Sequence, residues 1–211
     1  MNPRKSCPCG GHFAAGSRKR SPQRSPHLSC RKRRAEVSGL DALFDGFRRS
    51  AFRMETRPEY AISYERDIYE RYLAGEQTPS PAEIDWWRPL LDWVRTLTQE
   101  GRSLQRVRIV DDPPTAYQRF SLWGGQWNIE AGERISYLRR DAAQTLGLPT
   151  GDWWLLDDAT LVLLVFSDDG DLVGQEVERN LSVVAKYRHW RDAAVAAGMT
   201  TAGVTGSEGG D

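Results

Sequence analysis

The chain has 211 residues, 39% hydrophobic and 27% charged, with 29 basic and 29 acidic side chains in formal balance. That size holds one domain of ordinary dimensions plus tails, and the composition is that of a globular chain rather than a fibrous or wholly disordered one. The balance conceals a division. Residues 1–34 hold ten Lys or Arg and no Asp or Glu, which leaves 19 basic against 29 acidic residues, a net of −10, in the other 177. An acidic domain is unsuited to gripping nucleic acid by phosphate neutralisation.

All three cysteines, Cys7, Cys9 and Cys30, lie in the basic leader. The domain itself therefore has no disulfide framework and no thiol nucleophile. Cys7, Cys9, His12, His27 and Cys30 match none of the common zinc spacings and have no hydrophobic residues to fold against. No metal or other cofactor is expected. The leader, residues 1–37, is rich in Arg, Ser, Pro and Gly and is expected to be disordered; a translation start near Val37 is the alternative explanation of its composition. It has no apolar core of signal-peptide length, and the longest apolar run elsewhere, residues 161–166, is too short for a bilayer, so the expectation is a cytoplasmic protein without a membrane partner.

Order begins at Ser38-Gly39-Leu40-Asp41, which has capping-box form, and Leu40, Leu43, Phe44, Phe47 and Ala51 follow at helical spacing. Residues 65–73 predict a second short helix. Ser80-Pro81-Ala82-Glu83 predicts a third, with Ile84, Trp87, Leu91, Val94 and Leu97 on one stripe and Gly101 as its stop. Pro89 lies inside that run and should kink the helix or delay its regular part. Residues 104–110 alternate as a strand, with Val107 and Ile109 on one face and Arg106 and Arg108 on the other.

Residues 115–123 predict a helix that Gly124-Gly125 interrupts. Residues 133–140 predict a strand, and 141–146 a helical turn or two. Trp153 to Val177 reads as three strands joined at Asp157-Asp158-Ala159 and at Ser167-Asp168-Asp169-Gly170-Asp171. The middle strand, 161–166, is apolar throughout, as if covered on both faces. Asn180 predicts the cap of a last helix through Ala197, with Leu181, Val184, Tyr187 and Ala194 buried, followed by a flexible tail over 198–211.

Candidate chemistry is sparse. The domain has one histidine, His189, and lacks nucleophile-elbow, Walker and dinucleotide-binding glycine patterns. Turn chemistry accounts for the Asp168–Asp171 cluster. Asp152, Asp157 and Asp158 with Glu130 or Glu133 make a conceivable metal set, which solvated strand ends explain equally well. Arg106, Arg108, Arg119, Arg134, Arg139 and Arg140 lie beside Tyr117, Phe120 and Tyr137. Such a set suits anion binding through planar guanidinium forks, though a salt-bridged face is the simpler account. The candidate ligand set is Arg106, Arg108, Tyr117, Arg119, Glu133, Arg139 and Asp157. The eight tryptophans are expected to be core residues rather than a ligand platform.

Four segments occur in order: F-D-G-F-R-R-S-A-F-R-M-E (44–55), R-V-R-I-V-D-D-P-P-T-A-Y-Q-R-F (106–120), N-I-E-A-G-E-R-I-S-Y-L-R-R (128–140) and D-W-W-L-L-D (152–157). Over roughly residues 40–195 the chain thereby resembles an actinobacterial, streptomycete-type family of unknown function. The resemblance implies a gene neighbourhood with helix-turn-helix regulators and no established activity. Members of that family usually begin near F-D-G-F, so the basic leader departs from the pattern. A second likeness, architectural only, is to one half of a phospholipase-D-like domain, in degenerate form because no H-x-K motif is present.

These readings predict one α+β domain over residues 38–197, with a central, mostly antiparallel sheet flanked by helices. Its expected role is that of a non-enzymatic accessory or regulatory module whose partner is a helix-turn-helix regulator. The alternatives are an anion- or nucleotide-binding domain or phosphoryl-transfer enzyme built on the arginines, and nucleic-acid binding through the leader.

Overall fold

Alternation along the strands gives the molecule two cores, one on each face of a single sheet. The computed structural model describes residues 40–76 and 80–205, so the leader and its cysteines lie outside the described residues. Six strands, β1 (Ser50–Glu55), β2 (Ser103–Val110), β3 (Arg134–Arg139), β4 (Asp152–Leu156), β5 (Thr160–Phe166) and β6 (Leu172–Glu178), lie in the order β3-β2-β1-β4-β5-β6. β1, β2 and β3 run parallel, whereas the β1–β4, β4–β5 and β5–β6 pairs are antiparallel. The domain is thus α+β, a single unit with a mixed sheet flanked by helices.

The helices are α1 (Leu40–Gly46), α2 (Arg66–Leu73), α3 (Trp87–Gln99), α4 (Ala116–Glu130), α5 (Arg140–Thr145), α6 (Leu181–Ala197) and α7 (Thr201–Thr205). Parallel neighbours need crossovers, and α2 with α3 supplies the one from β1 to β2, as α4 supplies the one from β2 to β3. All three pack on one face, where Ile68, Leu91, Val94, Leu97 and Phe120 meet Ala51, Leu104 and Val162. α5 and α6 close the other face through Ala143, Val184 and Ala194, against Phe52, Met54, Val107 and Trp153. Each fully buried aliphatic side chain stabilises the fold by roughly 1.5–3 kcal/mol. None of the described helices is long and apolar enough to cross a membrane.

Several local predictions hold. A single 3-10 turn, Pro81–Glu83, precedes α3, and Glu83 Oε2 accepts the Ser80 N–H at 3.0 Å. Regular helix begins only at Trp87, so Pro89 falls in the first turn, where its missing N–H costs nothing. Asp157 and Asp158, at φ 53° and 58°, lie in the three-residue connection 157–159 between β4 and β5, and Gly170, at φ 84°, serves the next one. Asn180 caps α6 through the Ser182 N–H.

Other predictions give way to tertiary packing. The apolar stripe from Leu40 to Ala51 is not one helix: α1 stops at Gly46, and Ala51 belongs to β1, an interior strand of the sheet between β2 and β4. A strand covered on both faces usually reads as continuously apolar, and Arg53 and Glu55 break that signal. α4 runs straight through Gly124-Gly125, because both glycines serve close approach rather than chain reversal. A Cβ at Gly124 would lie 2.7 Å from the Trp87 ring, and one at Gly125 2.8 Å from the Tyr137 hydroxyl. Leu181, in the first turn of α6, is 83% exposed instead of buried, and β5 is covered on both faces only in its first half, with Val165 outward. The start of the predicted tail is ordered: Met199 bridges to Tyr137, and Val204 of α7 is buried.

Candidate functional site

The parallel register places charges where an apolar core would otherwise sit. On the α3–α4 face, Arg53 of β1 lies opposite Arg106 of β2, and Glu55 opposite Arg108. Like charges directly across two strands repel, so the arginines need carboxylates within reach. Glu55 accepts from Arg106 Nη1 at 2.6 Å and from Arg108 Nε at 2.5 Å. Glu133, just before β3, accepts from Arg106 Nε and from Asn128 Nδ2, both at 2.7 Å, and Asn128 in turn accepts the Trp87 indole N–H. Arg53 Nη2 donates to Asp152 at 2.7 Å, while Thr56 and the Tyr60 hydroxyl also donate to that carboxylate.

Above this ionic floor is a cavity of about 350 Å³. Its walls are largely aromatic: Trp86 and Trp93 from the α3 region, Trp154 from β4, Phe166 from β5, and Tyr60 and Tyr64 from the segment after β1. The indoles of Trp86 and Trp87 stack at 5.0 Å with planes 7° apart, and the Arg53 guanidinium lies 5.4 Å from the Trp154 ring centre. Opposite the arginines, Glu65 accepts the Tyr117 hydroxyl hydrogen at 2.8 Å. The size is at the lower end of ordinary small-molecule sites, and apolar walls with a few convergent polar groups are typical of them.

The electrostatics divide the carboxylates into two kinds. Burial alone would raise the Glu55 pKa, but the charges of Arg106, Arg108 and Arg53 outweigh it and hold this carboxyl well below the usual range. Burial depresses the Arg106 and Arg108 guanidinium pKa values less than the facing carboxylates raise them, so both remain firmly charged. Glu65 behaves differently. Its burial prevails over the Tyr117 hydrogen bond and the more remote arginines, and its pKa is pushed up to about 6. Tyr117, itself buried and beside Glu65, keeps its proton, with a pKa raised far above that of a free phenol.

Of the sequence-derived candidates, the fold brings Arg106, Arg108, Tyr117 and Glu133 to this cavity. Arg119 instead donates to the Pro114 carbonyl, Arg139 pairs with Asp112, and Arg140 pairs with Asp111. Asp157 sits in the β4–β5 turn and accepts backbone N–H groups from Arg48, Arg49 and Ser50, fixing the entry to β1. Residues missing from the candidate set are Arg53, Glu55, Tyr60, Glu65, Asn128 and Asp152. Arg53 and Glu55 show the same two-residue spacing that marks Arg106 and Arg108, and reading residues 50–55 as a strand would have revealed them. The tryptophans are core in part, but Trp86, Trp87, Trp93 and Trp154 also line the cavity. Among the described residues, no three His, Cys, Asp or Glu side chains are grouped to hold a metal ion.

Residues 38–202 match the model of a family described as a domain of unknown function, DUF6879. A search of curated proteins finds no match.

Proposed function

The chain belongs to DUF6879, and because that description carries no activity, we propose from the cavity that the domain is a binding module for a small, partly aromatic molecule. The observation that carries this reading is the 350 Å³ space walled by indole and phenol rings over a floor of arginines and carboxylates. A purely structural ionic cluster would be closed over by side chains, as protein interiors normally are. The firmly ionised Glu55, pinned between two arginines, is a poor general base, which favours binding over bond-making. Such a module suits an accessory role in which ligand occupancy is reported to a helix-turn-helix regulator.

The test is to fill the space. Leu164, on β5, lines the cavity and is only partly buried. Leu164→Trp should abolish binding of a naphthalene-sized probe, followed by tryptophan emission, while urea unfolding shows the domain intact. Undiminished binding by a folded Leu164→Trp protein would refute the cavity as the binding site.

A further inference from the structure

The cavity floor holds a charged donor with nothing to donate to. Arg53 is 6% exposed, its Nη2 is on Asp152 and its Nε lies 3.6 Å from Glu55, yet its Nη1 is buried without a partner. Leaving a buried donor without an acceptor is costly, and more so when it is charged. In the neighbouring strand, Arg106 spends Nε and Nη1 on Glu133 and Glu55, and Arg108 spends the same two atoms on Glu55 and the Ser121 carbonyl. Each keeps one terminal nitrogen without a protein partner. Three guanidiniums from adjacent strands therefore line one aromatic cavity, each with a donor that no protein group fills.

The charge count narrows what fills them. Arg53, Arg106 and Arg108 are already matched by Glu55, Glu133 and Asp152. A dianion would bring two uncompensated charges into a half-buried site, where charge is costly unless paired. A monoanion brings one, which a single proton offsets. Glu65 is placed to take that proton. It faces Tyr117 of α4, Arg106 and Arg108 of β2 and Glu55 of β1, and it lies on the cavity wall.

Resting on the cavity-binding reading above, we propose that the ligand is a planar aromatic monocarboxylate. Its carboxylate takes the free donors of Arg53 and its arginine neighbours, its ring lies against the Trp154 and Trp86 walls, and Glu65 takes up one proton on binding. A guanidinium fork suits a carboxylate's geometry. The anion in turn favours the protonated form of Glu65, whose pKa already stands near 6. Affinity must then fall as pH rises above about 6, by up to about tenfold per unit for one coupled proton.

The experiment is calorimetric titration of the full chain with 1-naphthoate, 1-naphthamide, 1-naphthylmethylamine and 1-naphthyl phosphate, at pH 6 to 8 and in buffers of different ionisation heat. The expected result is naphthoate binding at least about tenfold tighter than the other three, since charge-assisted hydrogen bonds contribute more than about 1.4 kcal/mol. About one proton should be taken up per naphthoate at pH 7. Glu65→Gln should bind naphthoate without proton uptake and without the pH dependence, and Leu164→Trp should not bind it. Amide, amine or phosphate binding as tightly as the acid overturns the monocarboxylate assignment and leaves the cavity reading standing. So does naphthoate binding without proton uptake. Failure of all four probes, or equal binding by Leu164→Trp, overturns both.

Discussion

Glu65→Gln tests the electrostatic account of the cavity without any ligand. In the folded protein the Glu65 carboxyl titrates near 6 rather than 4.5, chiefly because burial disfavours its charged form. The folded state therefore holds this proton more tightly than the unfolded chain does. The associated stabilisation is complete below about pH 4.5 and is lost as pH rises through about 6. Above that range the ionised carboxylate is a net cost: a difference of about 1.5 pKa units corresponds to roughly 2 kcal/mol, and partial exposure brings the expectation to roughly 1–2 kcal/mol. Glutamine is nearly isosteric, stays neutral, and keeps an oxygen for the Tyr117 hydroxyl, which lies 2.8 Å from Glu65 Oε2. Urea unfolding of both proteins between pH 4.5 and 8 should show similar stabilities at the acid end. Near pH 7.5 the variant should lead by roughly 1–2 kcal/mol, some 2–8 °C in Tm for a domain of this size. A gap of constant size across that range would refute the assignment of a raised pKa to Glu65.

Two further substitutions probe the frame around the site. Gly124→Ala gains roughly 1 kcal/mol of helix propensity but drives a methyl to 2.7 Å from the Trp87 ring, so a net loss of about 1–2 kcal/mol is expected from overpacking, with an altered indole emission. Asp157→Ala removes the acceptor of three backbone N–H groups at 2.6 to 3.0 Å and leaves alanine at φ 53°. Its unfolding free energy should fall by about 2–4 kcal/mol, and Asp157→Gly, which keeps the hydrogen-bond loss but relieves the strain, should fall by less. Equal losses in the two variants would show that backbone strain contributes nothing at that turn.

Where turn chemistry or strict alternation marked an element, the sequence was sufficient. The meander could be read from Asp157-Asp158 and Asp168–Gly170 because turn chemistry is local, and β2 because Val107 and Ile109 alternate with Arg106 and Arg108. β1 was hidden for the opposite reason. Leu43, Phe44 and Phe47 mimic a helical face that runs into it, and the charges of Arg53 and Glu55 are tolerated only because residues about 50 and 100 positions further along the chain neutralise them. That pairing has no signature within any short window. The same holds for the cavity. Arg106, Arg108, Tyr117 and Glu133 stood out as candidates by type and spacing, whereas Arg53 and Glu65 became visible only in the fold, and Asp152, conceivable as a metal ligand, emerged there as the partner of Arg53. Gly124-Gly125 misled because a glycine needed for close packing and one needed for a turn look alike in sequence.

The position of β1 also has a consequence for how the chain assembles. β4, β5 and β6 are joined by turns of a few residues, so their hairpins close short loops. The contacts of β1 reach across 51 residues to Arg106 and 99 residues to Asp152. Loop-closure entropy and contact order both place such pairings late and make them slow. Until β1 inserts, β2 and β4 each present an open edge, the hazard from which sheet proteins aggregate. Charged side chains stand at those same edges: Arg106 and Arg108 alternate along β2, and Asp152 begins β4. Charges on unpaired strands discourage adventitious pairing between chains. The residues that form the floor of the finished cavity thus also guard the unfinished sheet against the wrong neighbour.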